Sequence, residues 1–158
     1  EAASRGAARV VLVEAARQAV QVCRDNVASL GLRDVVEVVP RKVESYLASA
    51  PPARGGFGLV FVDPPYDVGE EELSRVLGAL VPHLDRRDAV VVVERSTRSP
   101  EPTLPPGLEA WQTRTYGETA LHLLHLTSAP GTGADDGPAL APSPGDATDI
   151  PAHDHPQA

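Results

Sequence analysis

A carboxylate, two prolines and an aromatic ring stand in immediate succession at Asp63-Pro64-Pro65-Tyr66. They follow a short apolar run, Gly58 to Val62, which reads as a buried strand delivering polar groups at its carboxyl end. Ligand crevices of open α/β sheets lie at that end of the strands. Consecutive prolines fix the backbone and remove two N–H donors, so the surface they leave is rich in acceptors. Asp63 adds carboxylate oxygens and Tyr66 a flat ring. The set suits a flipped-out nucleobase with an exocyclic amine, whose hydrogens go to Asp63 and a proline carbonyl while its ring stacks on Tyr66. Such an amine is a poor nucleophile because its lone pair is delocalised; acceptors on its hydrogens favour a pyramidal, attacking nitrogen. A rigid turn with a solvated acid, and a Tyr66 packed on the next helix, would use the same residues.

Other residues are weighed in the same way. Ala8 to Val13 reads as a strand ending at Glu14, where dinucleotide-type folds place an acid that accepts from ribose hydroxyls. Arg95 and Arg98 follow a later strand at the same sheet end as Asp63, within reach of substrate phosphates. Exposed arginines and a solvated strand-end glutamate are the ordinary alternatives. Glu94 reads as a loop anchor. Cytosine C5 chemistry needs a cysteine nucleophile near the motif, and the only cysteine, Cys23, lies far upstream in a helical pattern. His83, His122 and His125 have no metal-ligand spacing with Cys23 or with one another, so no metal is expected. His122 and His125 fall on opposite faces of a strand, and Trp111 in a neighbouring strand reads as core or edge packing.

Positioning these groups requires alternating elements. Glu1 to Arg5 reads as a helix closed by Gly6, and Arg17 to Leu30 as a helix with Gly31 as its cap. Val35 to Val39 is a strand, Val43 to Ala50 a short helix, and a helix runs from about Glu70 to near Leu80 with three glutamates in its first turn. The valine run Ala89 to Glu94 has the pattern of a strand buried on both faces. Leu108 to Thr115 and Thr119 to Thr127 form a hairpin around Tyr116-Gly117-Glu118. Strands alternating with helices, then a closing hairpin, predict a doubly wound α/β sheet with an antiparallel edge. No glycine-rich turn follows a first strand, and the simplest account is a chain incomplete at its N-terminus, with one strand missing from the sheet's middle.

Composition narrows the class. The chain has 158 residues and a formal charge of −8. Residues 129–158 contain five aspartates and no lysine or arginine, and their Pro, Gly and Ala content predicts a disordered tail after a domain of residues 1–128. The domain then holds fourteen lysines and arginines against seventeen acids, a charge of −3, which is no basic footprint for nucleic acid. There is no long apolar stretch and no signal-like start, and one cysteine fits a reducing compartment. A cytoplasmic monomer is expected.

Several stretches together resemble the RsmD family, bacterial 16S rRNA guanine-N2 methyltransferases. Glu1-Ala2-Ala3-Ser4-Arg5-Gly6-Ala7 is similar to the helix after the family's motif I, and Val11-Leu12-Val13-Glu14 to its second strand. Asn26 with Leu30-Gly31-Leu32 resembles the end of the next helix, and Phe61-Val62-Asp63-Pro64-Pro65-Tyr66 resembles motif IV of amino-group methyltransferases. Val92-Val93-Glu94-Arg95 and Arg114-Thr115-Tyr116-Gly117-Glu118-Thr119 resemble the last strands. The resemblance implies a Rossmann-like sheet, S-adenosyl-L-methionine as cofactor, and methylation of guanine 966 in 16S rRNA of small-subunit particles. It implies Asp63, Pro64, Pro65 and Tyr66 in catalysis, and Glu14, Lys42, Val43 and Asp63 around the cofactor, with a Lys42 or Val43 N–H meeting adenine. At Pro40-Arg41-Lys42-Val43 the chain departs from the small polar or acidic residue many members have. Two other functions remain open: an N6-adenine methyltransferase of DNA or RNA, and a non-catalytic remnant lacking motif I.

Overall fold

Short β-branched runs alternate with helix-period apolar residues, and the strands and helices form where that alternation places them. A computed structural model describes residues 1–49, 55–65 and 68–127. Tyr66 and the expected tail lie outside the described residues. β1 (Val10–Val13) pairs in parallel with β2 (Val36–Val39), from Val10↔Val36 to Val13↔Val39. Their crossover helix α1 (Arg17–Ser29) turns Val20 and Val27 inward. It ends in a Schellman motif: Gly31, at φ 66°, donates to the Ala28 carbonyl, and Leu32 donates to that of Val27. The expected opening helix is a single 3-10 turn, Ala3–Arg5, closed by Gly6.

After α2 (Val43–Ser49) comes β3 (Leu59–Val62), which pairs in parallel with β4 (Val90–Ser96) across the helix α3 (Glu70–Leu80). β5 (Leu108–Tyr116) and β6 (Thr119–Leu126) form the hairpin, and β6 inserts beside β4 to give the order β3-β4-β6-β5. Only Gly117 and Glu118 separate the two hairpin strands. A bulge between Ala110 and Gln112 leaves Trp111 half exposed, so this ring does not join the core.

Leu73, Val76, Leu77 and Leu80 recur at i, i+3, i+4 and i+7 on α3 and form one apolar stripe. They pack with Leu47 of α2 and with Val91, Val93, Leu108 and Leu124 of the four-stranded sheet. The valine run was expected to be buried on both faces, but only Val91 and Val93 are fully enclosed; Val90 and Val92 are half-buried. The cause is one-sided cover. α3 lies over the Val91 face, while on the opposite face Leu59 and Phe61 are 52% and 68% exposed. Among the described residues β1 and β2 pair only with each other, and β3 only with β4, so the two-stranded sheet is unpaired on both sides and the four-stranded sheet at its parallel edge β3.

The entry to β3 is tightly fixed. The Phe57 N–H donates to the His83 carbonyl, and the Asp85 N–H donates to that of Phe57. Beside them Gly56 adopts φ 74°, and a Cβ there would meet the Leu84 and Asp85 backbone at 2.4 Å. Buried His83 places Nε2 3.0 Å from the Leu47 carbonyl, linking the end of α3 to α2. No helix among the described residues is long and apolar enough to cross a membrane.

Candidate active site at the carboxyl ends of the parallel strands

The β3–β4 register pairs Val62 with Val93, so Asp63, the residue after β3, stands beside Glu94, which continues in β4. They line a cleft with Pro64, Arg95 and Thr119. Asp63 and Pro65 are exposed and Pro64 is half-buried. The cleft holds about 20 Å³, room for about one water. A nucleobase would therefore lie across its mouth, against the Asp63–Pro65 edge. The Pro65 carbonyl already accepts the Val68 N–H at 3.0 Å. That leaves the Pro64 carbonyl as the proline acceptor with no donor among the described residues. Two carboxylates and this carbonyl make an edge that receives N–H donors.

The two arginines expected at phosphates have different surroundings. Arg95 is buried: its side chain is 6% exposed, and Nη2 donates to Glu70 Oε1 at 2.6 Å and to the Val68 carbonyl at 3.1 Å. The sequence expectation placed Arg95 at substrate phosphates; here its Nη2 is committed to Glu70 and Val68. Arg98 is exposed and pairs with Glu118 at the hairpin turn, where the Thr97 N–H also donates to the Glu118 carbonyl. Sequence reasoning missed Glu70 and Val68 as Arg95 partners. The glutamate triplet has a sufficient local explanation in the helix dipole, and a partner 25 residues away leaves no local trace.

Behind the cleft, buried His122 places Nδ1 3.2 Å from Thr113 Oγ1. Burial pushes its imidazole pKa down, against the opposing pull of Glu101 and Glu70 and with a lesser push from Arg95. It lies on the α3 face and His125 on the other, where His125 approaches Glu109 at 3.2 Å.

Glu14, Lys42 and Val43 sit at the carboxyl ends of β1 and β2. Glu14 is half-buried, and its Oε1 accepts the Ala16 N–H at 2.7 Å. Lys42 and Val43 are exposed at the start of α2, where first-turn N–H groups have no intrahelical acceptor. An acid for hydroxyl groups and backbone donors for ring nitrogens fit a nucleoside-bearing cofactor. No cluster of metal-ligating side chains occurs among the described residues.

A family profile described as "Conserved hypothetical protein 95" matches residues 1–125. The chain belongs to this family. Several proteins of known structure share its architecture. A conserved hypothetical protein from Streptococcus pyogenes is 27% identical, with a TM-score of 0.66 over 77% of this chain and 74% of its own. The candidate methyltransferase yhhF from Escherichia coli is 28% identical, with a TM-score of 0.64 over 82% and 70%. An Escherichia coli rRNA methylase, 21% identical with a TM-score of 0.55 over 79% of this chain and 51% of its own, is similar in fold alone. No curated protein matches the chain. The fold is thus the Rossmann-like α/β class with a mixed sheet.

Proposed function

We propose that this protein is an S-adenosylmethionine-dependent methyltransferase acting on the exocyclic N2 of a guanine in 16S rRNA, the base at position 966 in small-subunit particles. The observation behind this reading is the acceptor edge of Asp63, Pro64 and Glu94, where β3 ends beside β4. Support comes from the yhhF neighbour, whose description is methyltransferase, and from the RsmD-like motifs along residues 1–127. The rRNA methylase of the same fold adds to it.

Asp63 and the Pro64 carbonyl accept the amine hydrogens and orient the nitrogen lone pair outward. As nitrogen becomes tetrahedral and gains positive charge, the Asp63 carboxylate interacts more strongly, which lowers the barrier. The alkylated amine then loses a proton readily, so strong base catalysis is unnecessary. Tyr66 supplies the stacking face in this proposal. Glu14 would hold the cofactor ribose, and the Lys42 and Val43 N–H groups its adenine. Bound S-adenosylmethionine supplies an electrophilic methyl group on a sulfonium. Exposed Arg98 is the remaining arginine for substrate phosphates.

The test uses the full-length protein, isotopically labelled methyl donor and small-subunit particles from a strain lacking the enzyme. Digestion of the rRNA should yield labelled N2-methylguanosine. Label in N6-methyladenosine, or none in rRNA, would overturn the proposal.

A further inference from the structure

We infer that Arg95 is a positioning residue, which holds Val68 and the start of α3 against β4 and, through the Val68–Pro65 hydrogen bond, sets where the Asp63 carboxylate stands. The inference rests on the methyltransferase reading above. Arg95 projects from β4, one residue beyond Glu94, and its Nη2 reaches both Val68 and Glu70 at the start of α3. Val68 in turn donates to the Pro65 carbonyl at 3.0 Å. A continuous path therefore runs from β4 through the guanidinium to Val68, Pro65 and the Asp63–Pro64 edge.

Stability alone is a poor explanation for this pair. Buried ion pairs exchanged for apolar residues of similar volume leave proteins as stable or more so. Here Arg95 Nε and Glu70 Oε2 are also buried without a hydrogen-bond partner among the described residues, a cost the fold bears at this spot. A planar guanidinium fixes its partners in direction as well as distance. Placement matters at an acceptor edge, where a shift of about 1 Å costs about a hundredfold in rate. The proposed cofactor residues Glu14, Lys42 and Val43 follow the strands of the other sheet, so misplacing Asp63, the one cofactor residue beside β4, should lower cofactor affinity far less than rate.

The experiment compares full-length wild type, Arg95→Lys and the double variant Arg95→Met/Glu70→Gln, which removes both buried charges together. Thermal melting, cofactor affinity by calorimetry and single-turnover methylation of small-subunit particles are measured for each. The double variant should melt near wild type and bind cofactor within about twofold, while transferring methyl about a hundredfold more slowly. Arg95→Lys, whose ammonium still donates to Val68 and Glu70, should recover part of that rate. Wild-type transfer in the double variant would overturn the inference. So would a loss of cofactor affinity matching the loss of rate, which marks a merely structural role. If the double variant does not fold, Arg95→Lys decides: a reduced rate at unchanged affinity supports the inference, and a wild-type rate overturns it. A wild type that transfers no methyl group would overturn the methyltransferase reading itself.

Discussion

Asp63 follows β3 and Glu94 stands beside it in the neighbouring parallel strand β4, so removing one carboxylate leaves the other lining the same cleft. Asp63→Ala should still slow single-turnover methyl transfer by about 2.7–4 kcal/mol, the scale for loss of one oriented transition-state contact. Cofactor affinity should fall much less than the rate, because the contact with the amine strengthens as nitrogen pyramidalises. Glu14→Ala should do the reverse, and calorimetry with S-adenosylmethionine checks it: an unaltered affinity removes Glu14 from the cofactor site. His122 links this residue scale to stability. Burial lowers its folded-state pKa, so the unfolded chain binds more protons in the window below about pH 6.5. Its contribution is complete above about pH 6.5 and is lost as pH falls toward the lowered folded value. Denaturant titrations between about pH 5 and 7.5 should show a flatter acid-side decline in His122→Gln than in wild type.

At the scale of elements, α3 was readable from its apolar stripe and acidic first turn, and the hairpin from its flanking alternation and Gly117. The place of Asp63 just after a strand was readable because an apolar run closed by Pro-Pro reads as a strand end. Arg95 was not: on paper it is one more arginine after a strand, and only the return of the chain through Val68 and Glu70 encloses it. The valine run misled for a related reason. Periodicity reports what a strand could bury, and cover depends on which helices arrive. Trp111 sits in a bulge that no glycine or break in pattern announces. Gly56 shows the same blindness, since it reads as loop punctuation although its Cα lies against the Leu84–Asp85 backbone. Gly56→Ala should destabilise by about 3 kcal/mol or more, combining positive-φ strain with a backbone clash. Equilibrium denaturation measures this, and a change below about 1 kcal/mol would mean that the β3 entry yields easily.

For the whole molecule, the acidic balance of −8 sets the conditions for any RNA partner, whose phosphates must be met by local arginines such as Arg98. The two sheets have a physical consequence of their own. Among the described residues β1, β2 and α1 make no extensive contact with α2, α3 or the four-stranded sheet, and α2 packs with the latter, its Leu47 carbonyl 3.0 Å from His83 Nε2. A junction so narrow need not transmit unfolding from one sheet to the other, and two-state behaviour depends on that transmission. The chain's only tryptophan, Trp111, lies in β5 and so watches the four-stranded sheet alone. On heating this 158-residue chain, indole emission and far-ultraviolet circular dichroism should give midpoints that do not coincide, the dichroism also recording the two-stranded sheet and α1. Superimposable curves would mean that the junction couples the halves into one cooperative unit. Separate curves would make the chain a pair of semi-independent folding units, whose fluorescence melting temperature describes only the half that holds Asp63.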